Sequence, residues 1–298
     1  MKLSLRNTIA YLYANTLIYS GKVRASMNSF HSENKVLSIY FHDPSKKLFE
    51  KTIKWLKGQN VNFISTNELQ LIMNGELSPK ASSVVLTVDD GWMGNKKNVI
   101  EMSKRYDVPV TIFVSLDPIM KRNPFWWSFV NKQRAKGVKM HKVSALKKMD
   151  NLDRKAYLNQ FGFNTTIDHE AMTISDIIEA DQLQTISIES HTVSHPILTN
   201  CSNDDAESEI QQSKRLLEDI LDRPVTGFAY PNGSHGIREI AYLKKHGYKY
   251  AFTTIPDYLN LEKVKCPYSL PRFEVFDDIS FAENICRMSG VWFRKTAR

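Results

Sequence analysis

Val84-Val85-Leu86-Thr87-Val88-Asp89-Asp90-Gly91 is a nearly continuous apolar run that stops on two adjacent carboxylates and a glycine. Its length and β-branched residues suit a strand, and apolar residues at successive positions suit one buried on both faces, as in a parallel sheet covered by helices. Neighbouring side chains in a strand point to opposite faces. At its last residues the chain turns, and Gly91 permits the turn. Two acids there can converge on one site while doing different jobs, although Asp-Gly alone also makes an ordinary turn.

Outward from this run, short apolar segments at 36–41, 61–65, 108–115, 185–190, 225–230, 250–254 and 269–275 read as further strands. Polar-apolar periodic stretches at 46–57, 95–105, 204–221 and 237–246 read as helices, the third capped by Asn203 or Asp204. Strand alternating with helix argues for parallel strands joined by crossover helices, in a barrel or a doubly wound sheet. The rhythm breaks over about 117–181, which carries Pro124-Phe125-Trp126-Trp127 and helix-like pieces. This is expected to be an insertion over the end of the sheet, with its tryptophans either stacking on a ligand or anchoring the insertion.

The chain has 298 residues, 42% of them hydrophobic and 24% charged, as in an ordinary globular protein. No run reaches the 18 or so apolar residues of a membrane-spanning helix. The net charge of +8 invites an anionic partner, but lysine and arginine are spread along the chain and no nucleic-acid-reading motif is present. Cys201, Cys266 and Cys286 form neither a disulfide framework nor a zinc-binding spacing. Residues 1–25 lack a signal peptide's cleavage region and read as an amphipathic helix with Ile9, Leu12, Tyr13 and Leu17 on one face. That face is expected to pack on the body or to make a peripheral membrane contact.

Ser190-His191-Thr192-Val193-Ser194-His195-Pro196 follows another apolar strand. Two histidines four apart can grip one metal, and with one carboxylate they make a site that leaves positions open for water and substrate. Thr87-Val88-Asp89-Asp90-Gly91 and His191-Thr192-Val193-Ser194-His195 resemble the first two motifs of the polysaccharide deacetylases, carbohydrate esterase family 4. The third is similar to Gly227-Phe228-Ala229-Tyr230-Pro231-Asn232-Gly233. The resemblance covers roughly residues 36–275. It implies an α/β fold, a distorted (β/α)7-type barrel holding the insertion, in a catalytic domain over 26–298. Asp90, His191 and His195 would bind one divalent metal, by default zinc, with nickel, cobalt or iron also tolerated. Asp89 would be the general base, and Tyr230, Pro231 and Asn232 would line the substrate and oxyanion site.

Two departures stand out. Most members carry an arginine where this chain has Ala229, and commonly a tyrosine where it has Asn232. Phe228-Ala229-Tyr230-Pro231 is instead similar to the biofilm poly-N-acetylglucosamine deacetylases and exopolysaccharide gene-cluster relatives, whose acid histidine follows the first strand. Ile39-Tyr40-Phe41-His42 supplies one here, so His42 is the expected general acid, with His235 its rival. Arg272 is the expected substitute for the missing arginine. The implied activity is deacetylation of an N-acetylated oligo- or polysaccharide or a lipid-linked intermediate, expected in the cytoplasm or at the membrane's inner face. A sugar-binding barrel without catalysis is the alternative.

Overall fold

The computed structural model describes residues 4–33, 35–261 and 266–293. Its strands are β1 (Lys35–Phe41), β2 (Asn62–Phe63), β3 (Ser83–Asp90), β4 (Val110–Val114), β5 (Ile186–Ser190), β6 (Gly227–Ala229), β7 (Tyr250–Phe252), β8 (Leu259–Asn260) and β9 (Phe273–Glu274). The sheet runs β7-β6-β5-β4-β3-β1-β8, with β2 beside β3 and β9 beside β1. All pairings are parallel except β1 with β8. Leu270 bridges Phe252 of β7, while Phe273 and Glu274 pair with Ile39 and Tyr40 of β1. The segment 270–274 therefore draws the two ends of the sheet together into a distorted barrel.

Every residue of β3 is buried. Val84, Leu86 and Val88 pack into the cluster that holds the outer helices, and Val85 into a second with Phe113, Phe252 and Leu270. This is the alternation of a strand covered on both faces.

The helices are α1 (Leu5–Tyr19), α2 (Lys22–Ser32), α3 (Lys46–Gly58), α4 (Thr66–Met73), α5 (Glu101–Tyr106), α6 (Leu116–Lys121), α7 (Trp126–Ala135), α8 (Val143–Leu146), α9 (Asn151–Asn159), α10 (Ile174–Asp181), α11 (Asn203–Leu221), α12 (Ile237–Lys245) and α13 (Phe281–Met288). The stretch expected as one helix over 95–105 opens with a π-helical turn, Lys96–Ile100, before α5. The insertion is helical, α6 to α10, with an apolar cluster of its own built on Trp126, Phe129 and Leu146. Ser202 rather than Asn203 or Asp204 caps α11, its hydroxyl accepting from the Asp205 N–H at 3.2 Å.

The amino-terminal helix differs from expectation in which face it buries. Ala10, Ala14 and Leu17 are buried, while Ile9 and Leu12 are 59% and 61% exposed and Tyr13 is exposed too. Helix α1 lies against α13, where the Cys286 thiol donates to the Ala14 carbonyl and Arg6 pairs twice with Glu283, at 2.7 and 2.8 Å. So close an approach needs alanines, which hydropathy alone ranks below isoleucine and leucine. Helical structure also continues past residue 25 into α2, which buries Val23, Met27 and Phe30. Residues 1–3 lie outside the described residues, among which no helix is long and apolar enough to cross a membrane.

Ser202→Ala should lower unfolding stability by about 1 kcal/mol, the usual worth of an N-cap hydroxyl. Urea denaturation reads this directly, and an unchanged midpoint would refute the capping role.

Candidate active site

Three strand ends meet on one rim of the barrel. Asp89 and Asp90 end β3, and Asp90 and Gly91 both sit in the left-handed region, at φ 77° and 85°. Aspartate tolerates that region better than most residues, and the turn brings the Asp90 carboxylate back over the rim. The loop after β5 does likewise with Thr192 (φ 71°) and His195 (φ 52°). Buried Glu209 of α11 pins this loop, accepting from the N–H groups of Val193 at 3.0 Å and Ser194 at 2.9 Å and from the Ser194 hydroxyl.

Asp90 Oδ1 lies 3.5 Å from His191 Nε2 and 3.3 Å from His195 Nε2. One ligand atom from each of the three residues falls within 4.8 Å of the others, and all three are buried. Asp90 Oδ2 accepts from the Trp92 indole N–H at 2.8 Å, but Oδ1 is buried without a hydrogen-bond partner. His191 Nδ1 is 2.7 Å from the Ala229 carbonyl, which can only accept, so Nδ1 carries the proton and Nε2 keeps its lone pair. Burial pushes His195 down to about 4 despite neighbouring Asp90, leaving this ring neutral at ordinary pH. An orphaned anionic oxygen facing ring nitrogens with free lone pairs fits a divalent cation.

Asp89, one residue earlier, has a different partner. Arg272 grips it with both ends of its fork, Nη1 to Oδ1 and Nη2 to Oδ2, each at 2.8 Å. Arg272 is fully buried, donates to Thr87 Oγ1 at 2.9 Å and the Thr253 carbonyl at 3.0 Å, and lies 4.4 Å from the centre of the Tyr40 ring. It comes from the segment that closes the barrel, so closure itself delivers the cation to the end of β3.

A cavity of about 300 Å³ joins Asp89, Asp90, His191 and His195 with His42, Asn232 and Trp127. His42 is half-exposed, with Nδ1 3.4 Å from Glu274 Oε1, and Glu274 Oε2 accepts from the Tyr40 hydroxyl at 2.8 Å. Of the expected third-motif residues, Asn232 lines the cavity, in the left-handed region at φ 59° and with its side-chain oxygen on Lys147 Nζ at 2.7 Å. The side chains of Tyr230 and Pro231 do not line it: both are buried, and the Tyr230 hydroxyl donates to the Tyr268 carbonyl at 3.0 Å. His235 is occupied on both nitrogens, 3.0 Å from the Gly233 carbonyl and 3.0 Å from Ser269 Oγ, and is stacked on Tyr230.

The sequence reading missed Trp92, Tyr40, Glu209 and Glu274. Trp92 directly follows the Asp-Asp-Gly turn, and Glu274 shares a strand face with Arg272 by alternation. Those are the signals that could have found them. The two insertion tryptophans divide the roles offered for them: Trp126 is buried as an anchor, its indole on the His195 carbonyl at 3.1 Å, while Trp127 walls the cavity 4.3 Å from the His195 ring.

The family model for polysaccharide deacetylases matches residues 76–251, which carry all three motifs. YxkH of Bacillus subtilis, named as a polysaccharide deacetylase, is 22% identical over 211 residues, 71% of this chain. The chain spans 58% of the length of that relative. Streptococcus pyogenes deacetylase PplD, solved in complex with acetate, superposes with a TM-score of 0.62 at 20% identity over 85% of this chain and 98% of its own. IcaB from Ammonifex degensii gives 0.61 at 16% identity over 86% of this chain and 97% of its own. Those two likenesses concern the fold, while the family match extends over more than half the sequence: the chain belongs to the polysaccharide deacetylase family.

Proposed function

We propose that this protein is a metal-dependent hydrolase that removes the acetyl group from an N-acetylated sugar unit. The observation that carries the reading is the division of two adjacent carboxylates. Asp90 faces His191 and His195 with an unsatisfied oxygen, while Arg272 grips both oxygens of Asp89. A sugar-binding barrel needs no such division, whereas metal-assisted amide hydrolysis uses a cation and a separate base. When bound by Asp90, His191 and His195, a divalent ion supplies Lewis-acid chemistry for the acetamide carbonyl and the attacking water. Zinc is the default for these ligands, and nickel, cobalt or iron could serve.

In this reading Asp89 takes a proton from the water as it attacks. Arg272 orients the carboxylate and offsets its charge without occupying every lone pair, since each oxygen can accept twice. A nitrogen leaving group is poor until protonated. His42 lines the same cavity with Glu274 beside its Nδ1, which supports Nε2 as the donor of that proton. His235 has neither nitrogen free for the task. The products are acetate and the free amino sugar. Trp127 in the cavity wall offers the apolar face on which a sugar ring stacks.

Two outcomes follow. Asp90→Ala or His191→Ala should abolish the roughly one divalent ion held per chain, whereas Asp89→Asn should keep the ion and lose acetate release from N-acetylglucosamine oligomers. Metal analysis beside an acetate assay separates them, and equal ion loss in Asp89→Asn would reverse the two assignments. His42→Ala should lower turnover roughly 10²–10⁴-fold with metal content unchanged, the typical size of general acid catalysis. A near-silent His42→Ala beside a crippled His235→Ala would transfer the role to His235.

A further inference from the structure

Behind Trp127 and His195, which line both, opens a second cavity of about 580 Å³ walled by the insertion. Arg154 of α9 lines it and is only 3% exposed. Its guanidinium stacks 4.5 Å from the centre of the Trp126 ring, and Nη2 donates to Asn151 Oδ1. Its Nε is buried without a partner, and among the described residues no carboxylate pairs with it.

The nearby acids are committed elsewhere. Asp205 accepts from Asn151 and faces Lys155. Glu209 holds the Val193–Ser194 backbone and Lys155, and Asp117 pairs with Lys121 at 2.8 Å. The other buried arginine among the described residues, Arg272, is matched to Asp89, and the half-buried Arg223 is matched to Asp181. A buried cation without a contacting anion is costly unless a ligand brings one, and a guanidinium presents the planar fork that suits a phosphate or a carboxylate. Burial also pushes Arg154 down to about 10, which still leaves it charged at neutral pH.

We infer that Arg154 anchors an anion subsite, which takes a phosphate or carboxylate carried by the same saccharide whose acetamide enters the neighbouring cavity. The anion site stands on the unpaired guanidinium and the cavity; only the identity of its carrier as an acetamido sugar rests on the deacetylase reading. Trp126 joins Arg154 to the His195 carbonyl, and His195 lines both cavities, so the anion site adjoins the one that holds the metal-ligand cluster.

The test has two parts on the full-length chain. Calorimetric titration of chelator-treated protein with inorganic phosphate should show binding that Arg154→Gln weakens by roughly ten- to a hundredfold, the loss expected for a charged hydrogen-bonded contact. Asn159→Asp, an exposed change on the same cavity wall, should weaken it too without threatening the fold. Absence of phosphate binding, or binding indifferent to both substitutions, overturns the subsite. The metal-loaded enzyme is then given neutral, phosphate-bearing and carboxylate-bearing N-acetylated disaccharides. At least one anionic form should have the lower KM, and Arg154→Gln should bring the neutral-to-anionic KM ratio close to one. Which anionic form responds identifies the source. No preference for either in the wild type overturns the proposal. Arg154-dependent phosphate binding without acetate release from any saccharide upholds the subsite and refutes the deacetylase reading instead.

Discussion

The buried pair of Asp89 with Arg272 is the constraint on which the rest of this site depends. Both 2.8 Å contacts are buried, with Asp89 at the floor of the cavity and Arg272 behind it, so the pair is screened far less than a surface pair would be. Removing one member of such a pair strands the other and typically costs about 3–5 kcal/mol. The arginine satisfies both ends at once. Its remaining donors meet Thr87 and Thr253, and its faces meet the rings of Tyr40, Phe113 and Phe252. Fold and chemistry are joined here, because the segment that supplies Arg272 is the one that bridges β7 and β1.

With Asp89 held inward, Asp90 is left to face the histidines, and the backbone bears the strain of presenting it. Asp90, Thr192, His195 and Asn232 all occupy the left-handed region, and each is in or beside the site. Such residues cost of order 1–3 kcal/mol apiece and persist only where their surroundings over-determine them. Trp92 on Asp90, Glu209 under the histidine turn and the Ala229 carbonyl on His191 provide that support. Ala229 thus contributes through its backbone, whatever its side chain lacks.

Much of this was legible in the sequence, for identifiable reasons. Strands β1, β3 and β4 are largely apolar runs buried on both faces, a pattern the sequence displays directly. Strand β8 is two residues long and antiparallel, and carries no pattern to read. The acids and histidines announced themselves by their spacing after strands. Arg272 was found through the absence of an arginine at Ala229, whereas Glu274 was passed over because its partner His42 lies on the other end of the chain. The buried face of α1 was misread because packing on α13 selects small residues, a long-range demand that hydropathy along one helix does not express. Tyr230 looked like a site residue because it sits inside a motif, but the direction of its side chain is set by β6 and by Tyr268.

The division of labour between the two carboxylates is tested most directly by anomalous diffraction from crystals of the cobalt-loaded protein. The account predicts one strong peak ligated by Asp90, His191 and His195, with Asp89 still gripped by Arg272 and outside bonding distance of the ion. A peak ligated by Asp89, or an ion bound only away from these three residues, would contradict it.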